Sequence, residues 1–172
     1  MIECKKVSPE MSESLFIYFS QLSVETKSYF APHPFDFDTV RSICSNNYNY
    51  YTAYVCLHEE YIIAYAVLKN SLSEGEINRF SSYSIQLNFE KDYIFAPSVA
   101  DAYQSKGIGN LLFRFIEADL KSKGAEKIIL WGGVQLRNEK AIKFYLKNGF
   151  KTVGKFWYDG LDNLDMLKDL QD

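Results

Sequence analysis

The densest chemical signal in this chain is Gln104-Ser105-Lys106-Gly107-Ile108-Gly109-Asn110, which follows a strand ending at Val99 and opens a long amphipathic helix. The first turn of a helix leaves backbone N–H groups without partners, and its dipole favours negative charge there. Glycines admit a phosphate close to the main chain, so the arrangement is a sensible cradle for a pyrophosphate. The same glycines would equally suit a tight strand-to-helix turn that holds no ligand. Two common nucleotide motifs are excluded. A Rossmann fingerprint needs a third glycine where this chain has Leu112, and a Walker loop needs a Gly-Lys-Ser/Thr that the sequence lacks. A ligand held here would be a different phosphate-bearing cofactor.

A second segment narrows the choice. Asn138-Glu139-Lys140-Ala141-Ile142-Lys143-Phe144-Tyr145-Leu146-Lys147-Asn148-Gly149-Phe150 follows a strand and closes with Gly-Phe. Together with Gln104 to Gly109 it closely resembles the GNAT superfamily of acyl-CoA-dependent N-acetyltransferases. That family's pattern is Gln/Arg-x-x-Gly-x-Gly/Ala and, further along, Asn-x-x-Ala-x-x-Phe-Tyr-x-x-x-Gly-Phe; both halves match at each defining position. The resemblance is specific across residues 93–157, and the order of elements extends it over the whole chain.

The resemblance implies a role for each matching position. Gln104, Ser105, Lys106, Gly107, Ile108, Gly109 and Asn110 would wrap the pyrophosphate of coenzyme A, mainly through main-chain N–H groups. Val99 would pair with the pantetheine arm in β fashion, and an N–H beside it would polarise the thioester carbonyl, an oxyanion-hole role. Asn138 would hydrogen-bond the cofactor. Tyr145 would be the general acid for the departing thiolate, though it also reads as an aromatic packed on the inner face of its helix. The implied reaction is direct transfer of acetyl from acetyl-CoA to an amine, with no metal and no enzyme nucleophile. Consistently, the chain has no Ser-His-Asp order and no local Cys-His pairing.

The amine must arrive neutral, so some group or a water chain must accept its proton. Glu74, Glu76, Glu90 and Asp92 are candidates, and each also reads as a plain surface carboxylate. His33, between two prolines, is another, and it also reads as a turn residue. Phe30, His33, Phe35 and Phe37, the 70–92 stretch, and Trp157 with Tyr158 could wall an acceptor pocket or simply pack. The expected function is acetyl transfer to a primary amine of a small molecule, such as an amino sugar, an amino acid derivative or a polyamine. A peptide or protein N-acetyltransferase of the ribosomal-protein-modifying type is an alternative. So is a non-catalytic acyl-CoA-binding module, against which the presence of both Asn138 and Tyr145 counts.

Positioning these residues requires a sheet. Strands are expected at 2–7, 50–57, 61–68, 93–99, 127–131, 151–157 and 164–170, from β-branched and aromatic runs. Helices are expected after Ser8-Pro9-Glu10, at 38–44, from Gly107 to Lys123, and at 138–147. Residues 70–92, rich in serine, read as a long loop. The hairpin connection His58-Glu59-Glu60 lacks the glycine that would make it a strong turn. The order β-α-α-β-β-β-α-β-α-β-β describes an α/β (α+β) fold, a GNAT-like mixed central sheet flanked by helices, with 1–172 as one N-acetyltransferase domain.

Composition sets the outer bounds. With 172 residues, 47% hydrophobic and 24% charged, the chain is of ordinary globular make-up. A net charge of -3 is not that of a general nucleic-acid binder. The charge is unevenly spread: residues 104–155 carry eleven cations against four anions, whereas residues 1–103 carry seven against thirteen. The positive segment holds both cofactor motifs, where it can attract an anionic ligand. Cys4, Cys44 and Cys56, an odd and scattered set, argue against a disulfide framework and fit a reduced compartment. The N-terminus has no signal-like apolar run, and no stretch approaches the ~20 apolar residues of a membrane helix. The expectation is a cytoplasmic protein, monomer or homodimer, with a small-molecule amine acceptor and neither nucleic-acid nor membrane partners.

Overall fold

The computed structural model describes residues 1–171. Its strands form one sheet in the order β1-β2-β3-β4-β5-β8-β6, with β7 paired to β8. The strands are β1 (Ile2–Lys6), β2 (Tyr51–His58), β3 (Tyr61–Lys69), β4 (Asp92–Val99), β5 (Lys127–Leu130), β6 (Val134–Gln135), β7 (Lys151–Tyr158) and β8 (Leu161–Asp169). The helices are α1 (Ser12–Gln21), α2 (Val24–Ser28), α3 (Phe37–Cys44), α4 (Glu74–Ser82), α5 (Ile108–Ser122) and α6 (Glu139–Lys147). This is the expected mixed α/β architecture, with three additions: α2 as a separate short helix, β6, and α4. Among the described residues no helix is long and apolar enough to cross a membrane.

The chain divides into two compact units, one of Met1–Lys69 and Ala96–Ile116, the other of Asn70–Phe95 and Glu117–Asp172. In the first unit β1, β2 and β3 run antiparallel. Tyr54, Val55, Ala64, Tyr65 and Ala66 of β2 and β3 are wholly buried. Helix α1 buries Leu15, Tyr18 and Phe19, and α3 buries Val40, Ile43 and Cys44. Asp36 caps α3 by accepting from the Thr39 N–H at 2.9 Å. The β2–β3 turn needs no glycine: Glu59 and Glu60 themselves take φ of 50° and 73°. His58, expected in the turn, is the last residue of β2.

The cysteines depart from the expectation. Cys4 and Cys56 face each other in the β1–β2 ladder and form a disulfide across a separation of 52 residues. Spacing along the chain hides such a pair, because register between strands decides it.

In the second unit β4 pairs β5 in parallel, and β8 runs antiparallel to β5, β6 and β7. Residues 70–92 are not a bare loop. Ser73 and Glu76 form a reciprocal capping box that starts α4. Leu72 and Phe80 then join Ile94 and Ile129 in a buried cluster, with Tyr83, Val153 and Leu167 packed against it. Of the serines that suggested a loop, Ser73 is the cap of this helix and Ser81 and Ser82 are exposed in its last turn, while Ser71 and Ser84 flank it.

Arg79 of α4 donates to both carboxylate oxygens of Asp165 at 2.6 and 3.1 Å, and the Tyr83 hydroxyl donates to the same Asp165 at 2.9 Å. The guanidinium also stands 4.2 Å over the Phe156 ring. Tyr83 lies so close to β7 that a Cβ on Gly154 would fall within its ring, so only glycine fits there.

Candidate active site

Strand β4 changes character along its length. Asp92 to Phe95 pair with Lys127 to Leu130, and the ladder with β5 then stops. Phe95 still turns its carbonyl to that side, where it accepts from the Trp131 N–H at 3.0 Å. Successive residues of a strand direct their N–H and C=O groups to alternate edges. The Ala100 N–H donates to Ile63 of β3 at 2.9 Å, so the Val99 N–H turns to the opposite edge, beyond the end of the β5 ladder. Pro97, on the same edge, has no N–H to offer. The end of β4 therefore presents one backbone donor, at Val99. The Val99 carbonyl is engaged by the Gln104 side chain, whose Nε2 donates to it at 3.2 Å.

Residues Asp101–Tyr103 make a short 3-10 turn, and the chain then passes through Ser105 and Gly107, with φ of 60° and 83°, into α5. These left-handed residues turn the loop so that five consecutive N–H groups, those of Ser105, Lys106, Gly107, Ile108 and Gly109, have no acceptor among the described residues. Backbone N–H groups left unpaired in this way suit an anion. A Cβ added at Gly107 would meet nothing within 4 Å, so open space lies beside the loop. Lys106 adds a positive charge, its Nζ 5.6 Å from the Tyr103 ring centre. The Tyr103 hydroxyl is hydrogen-bonded to His58 Nδ1 at 3.1 Å. The fit to a bound pyrophosphate thus rests on unpaired donors, open space and a nearby cation.

In the second unit Asn138 caps α6, its Oδ1 accepting from the Ala141 N–H at 3.2 Å. Its Nδ2 has no acceptor among the described residues and is free to donate to a ligand. Tyr145 follows seven residues later, two helical turns on, so both residues lie on one face of α6, roughly 10 Å apart along the axis. The Tyr145 ring is 7% exposed and packs edge-on against Phe95 and Phe150, with centroids at 6.4 and 5.3 Å. Its hydroxyl has no hydrogen-bond partner among the described residues, yet it is not sealed from solvent. Burial holds its pKa well above the usual tyrosine range. The phenol is thus protonated at physiological pH, and ring packing and an available hydroxyl coexist.

The carboxylates and His33 are placed differently. Glu76 is committed to the capping box, accepting from the Ser73 N–H at 2.7 Å, and Glu74 and Glu90 are exposed. Asp92 is fully buried at the start of β4, accepting from the Asn88 N–H at 2.7 Å. Seven residues of strand, roughly 23 Å, separate it from Val99. His33 is buried in an aromatic cluster with Phe19, Phe30, Phe35 and Tyr65. Both its ring nitrogens are occupied: Nδ1 donates to the Pro34 carbonyl at 2.7 Å, and Nε2 accepts from the Tyr65 hydroxyl at 2.9 Å. Burial lowers its pKa, so the neutral tautomer is the packed form. Phe30 and Phe35 share that cluster, Phe37 packs edge-on against Phe16, and Trp157 and Tyr158 are exposed.

Sequence reasoning missed one group beside the cradle. Asp101 accepts from the Ser23 N–H at 2.9 Å, the Ser23 hydroxyl at 2.6 Å and the Thr26 hydroxyl at 2.7 Å. Ser23-Val24-Glu25-Thr26 is legible as a helix cap, but nothing local points to a partner so far along the chain.

No curated protein matches this sequence. Solved structures do match in fold. The GNAT domain of S. lividans PAT superposes with a TM-score of 0.76 at 20% identity, covering 98% of this chain and 90% of that one. The aminoglycoside acetyltransferase AAC(6')-Ib in complex with coenzyme A gives 0.74 at 17%, covering 99% and 96%. The ribosomal-protein-S18-alanine N-acetyltransferase from Escherichia coli gives 0.68 at 16%, covering 99% and 94%. The family described as Acetyltransferase (GNAT) family matches residues 18–150, a span that takes in the end of β4, the unpaired N–H groups before α5 and the whole of α6. The chain belongs to the GNAT acetyltransferase family.

Proposed function

We propose that this protein is an acetyl-CoA-dependent N-acetyltransferase whose acceptor is a primary amine of a small molecule: an amino sugar, an amino acid derivative or a polyamine. The observation that carries the reading is the run of five unpaired N–H groups from Ser105 to Gly109, a donor set suited to phosphate oxygens. Gln104 to Asn110 would hold the pyrophosphate of coenzyme A, chiefly by main chain, with Lys106 adding charge. Acetyl-CoA, when bound, supplies a thioester whose carbonyl carbon is open to attack by a neutral amine. The Val99 N–H would donate to oxygen where negative charge develops, an interaction typically contributing several kcal/mol. Asn138 Nδ2 would donate to the cofactor. The Tyr145 Oη would hold the proton for the departing thiolate, since its pKa keeps it protonated. Water takes the amine's proton in this reading, as the buried His33 and Asp92 are committed elsewhere. Both compact units would together make up one catalytic domain.

The AAC(6')-Ib structures include complexes with the aminoglycosides paromomycin and ribostamycin, which makes amino sugars the first acceptors to try. Thiol release from acetyl-CoA across amino sugars, polyamines, amino acid derivatives and N-terminal peptides is the test. Release with small amines only is the expected result. Release with peptides alone would shift the assignment to a protein N-acetyltransferase, and cofactor binding without release would leave a binding module. We keep the cytoplasm as the setting, although the Cys4–Cys56 bridge removes the cysteine argument for it.

A further inference from the structure

Val99 and the cradle are joined to α2 by a continuous set of hydrogen bonds within the first unit. Asp101 Oδ1 accepts from the Thr26 hydroxyl at 2.7 Å, which fixes the direction of that hydroxyl's proton. The Thr26 oxygen is thereby turned to accept from Gln104 Nε2 at 3.1 Å. The same Nε2 donates to the Val99 carbonyl at 3.2 Å. The N–H on the far side of that peptide, Ala100, is bonded to Ile63 at 2.9 Å. The Val99–Ala100 peptide plane is therefore held from both edges.

Ser23 reinforces the start of the relay with two bonds to Asp101, from its N–H and its hydroxyl. A second tie holds α1 to the residue before Val99, Tyr18 hydroxyl to Ser98 hydroxyl at 2.9 Å. Burial tends to raise the Asp101 carboxyl, but the bonds from Ser23 and Thr26 outweigh it and leave the pKa lowered. The carboxylate is thus present as the acceptor the relay needs.

We propose that Asp101 is a positioning residue for acyl transfer: through Thr26 and Gln104 it fixes the Val99–Ala100 peptide and so the backbone of Val99, whose own N–H, on the adjoining Ser98–Val99 peptide, is the donor left at the end of β4. The proposal rests on the acetyltransferase reading. Gln104, a defining residue of the cofactor motif, spends its amide inside the protein on this task.

Three variants test it: Thr26→Val removes the hydroxyl at nearly constant shape, Asp101→Asn replaces one acceptor oxygen by a donor, and Thr26→Ser keeps the hydroxyl. Each is read by kcat and KM with the best amine, by calorimetric affinity for coenzyme A, and by amide hydrogen exchange over residues 96–104. Thr26→Val and Asp101→Asn are expected to lower kcat about tenfold, since small misplacement of a reacting geometry is costly. Affinity for coenzyme A should change little, because the five free N–H groups are untouched. Exchange at Ala100 should accelerate about tenfold as the peptide is released from one side. Thr26→Ser should match the unaltered protein in all three.

Unchanged kcat in Thr26→Val, or equal losses in Thr26→Ser and Thr26→Val, would overturn the proposal. So would a fall in coenzyme A affinity that matches the fall in kcat. Absence of transfer by the unaltered protein would sink the acetyltransferase reading alone, and the exchange comparison then decides the relay by itself: faster exchange supports it, unchanged exchange overturns it.

Discussion

Tyr145 offers an unusually clean substitution, because its hydroxyl has no hydrogen-bond partner among the described residues while its ring packs against Phe95 and Phe150. Tyr145→Phe should leave thermal stability within about 0.5 kcal/mol, as no hydrogen bond is lost. It should lower kcat by roughly 100-fold if the phenol protonates the leaving thiolate. Full kcat over a pH series would reduce Tyr145 to packing. Gly107 makes a complementary prediction. Its φ of 83° and the open space beside it mean that Gly107→Val strains the loop and crowds the anion position. Coenzyme A affinity should fall at least about tenfold, a change of roughly 1.4 kcal/mol or more by calorimetry. Asp92 carries a third, in acid. Burial raises its pKa, outweighing the pull of the Asn88 N–H and Lys127, and its Oδ1 has no hydrogen-bond partner among the described residues. A carboxyl whose folded pKa is raised contributes stability fully below the unfolded value, near pH 3.9, and loses it as pH rises through the folded value. Chemical denaturation as a function of pH should therefore show a component declining upward from about pH 4. That component should be missing in Asp92→Asn.

Helix α4 is the element on which the sequence was least informative, and its energetics explain why. Its identity lies in the Ser73–Glu76 capping box and in two buried apolar residues, Leu72 and Phe80, set among five serines whose composition suggests a loop. What fastens it is Arg79 on Asp165, a contact between residues far apart in sequence. Arg79→Ala would leave Asp165, 1% exposed, buried without its cation, and should destabilise the protein by about 3–5 kcal/mol in urea. A loss under 1 kcal/mol would mean the ion pair is dispensable. The contrast with α5 and α6 is instructive. There the chemistry-bearing residues are neighbours in sequence, so Gln104 to Asn110 and Asn138 to Tyr145 were legible as groups. The Asp101–Thr26–Gln104 relay was not, because a carboxylate and a hydroxyl acquire a joint role only when folding brings α2 to the end of β4. Strand ends and turns also escaped local reading. Glu59 and Glu60 adopt left-handed backbone without the glycine that normally advertises it.

At the scale of the molecule, strand register determined what spacing could not. Cys4 and Cys56 are unremarkable along the chain and directly opposed across β1 and β2. Closing a loop of that length by a disulfide is typically worth about 2–4 kcal/mol. Reduction, or Cys56→Ser, should lower the melting temperature without altering coenzyme A affinity. An unchanged melting temperature would show that the bridge does not persist in solution. The uneven charge also finds its place, since the cation-rich residues 104–155 contain the five free N–H groups, Asn138 and Tyr145. Pro97 has a consequence of a different kind. A strand whose ladder stops short, as β4 does after Phe95, leaves a bare edge on which a second chain could zip. Pro97 removes a donor from that edge just where a row of them would template such pairing. The opening at Val99 can thus admit a small extended molecule while giving self-association and fibre growth no continuous track.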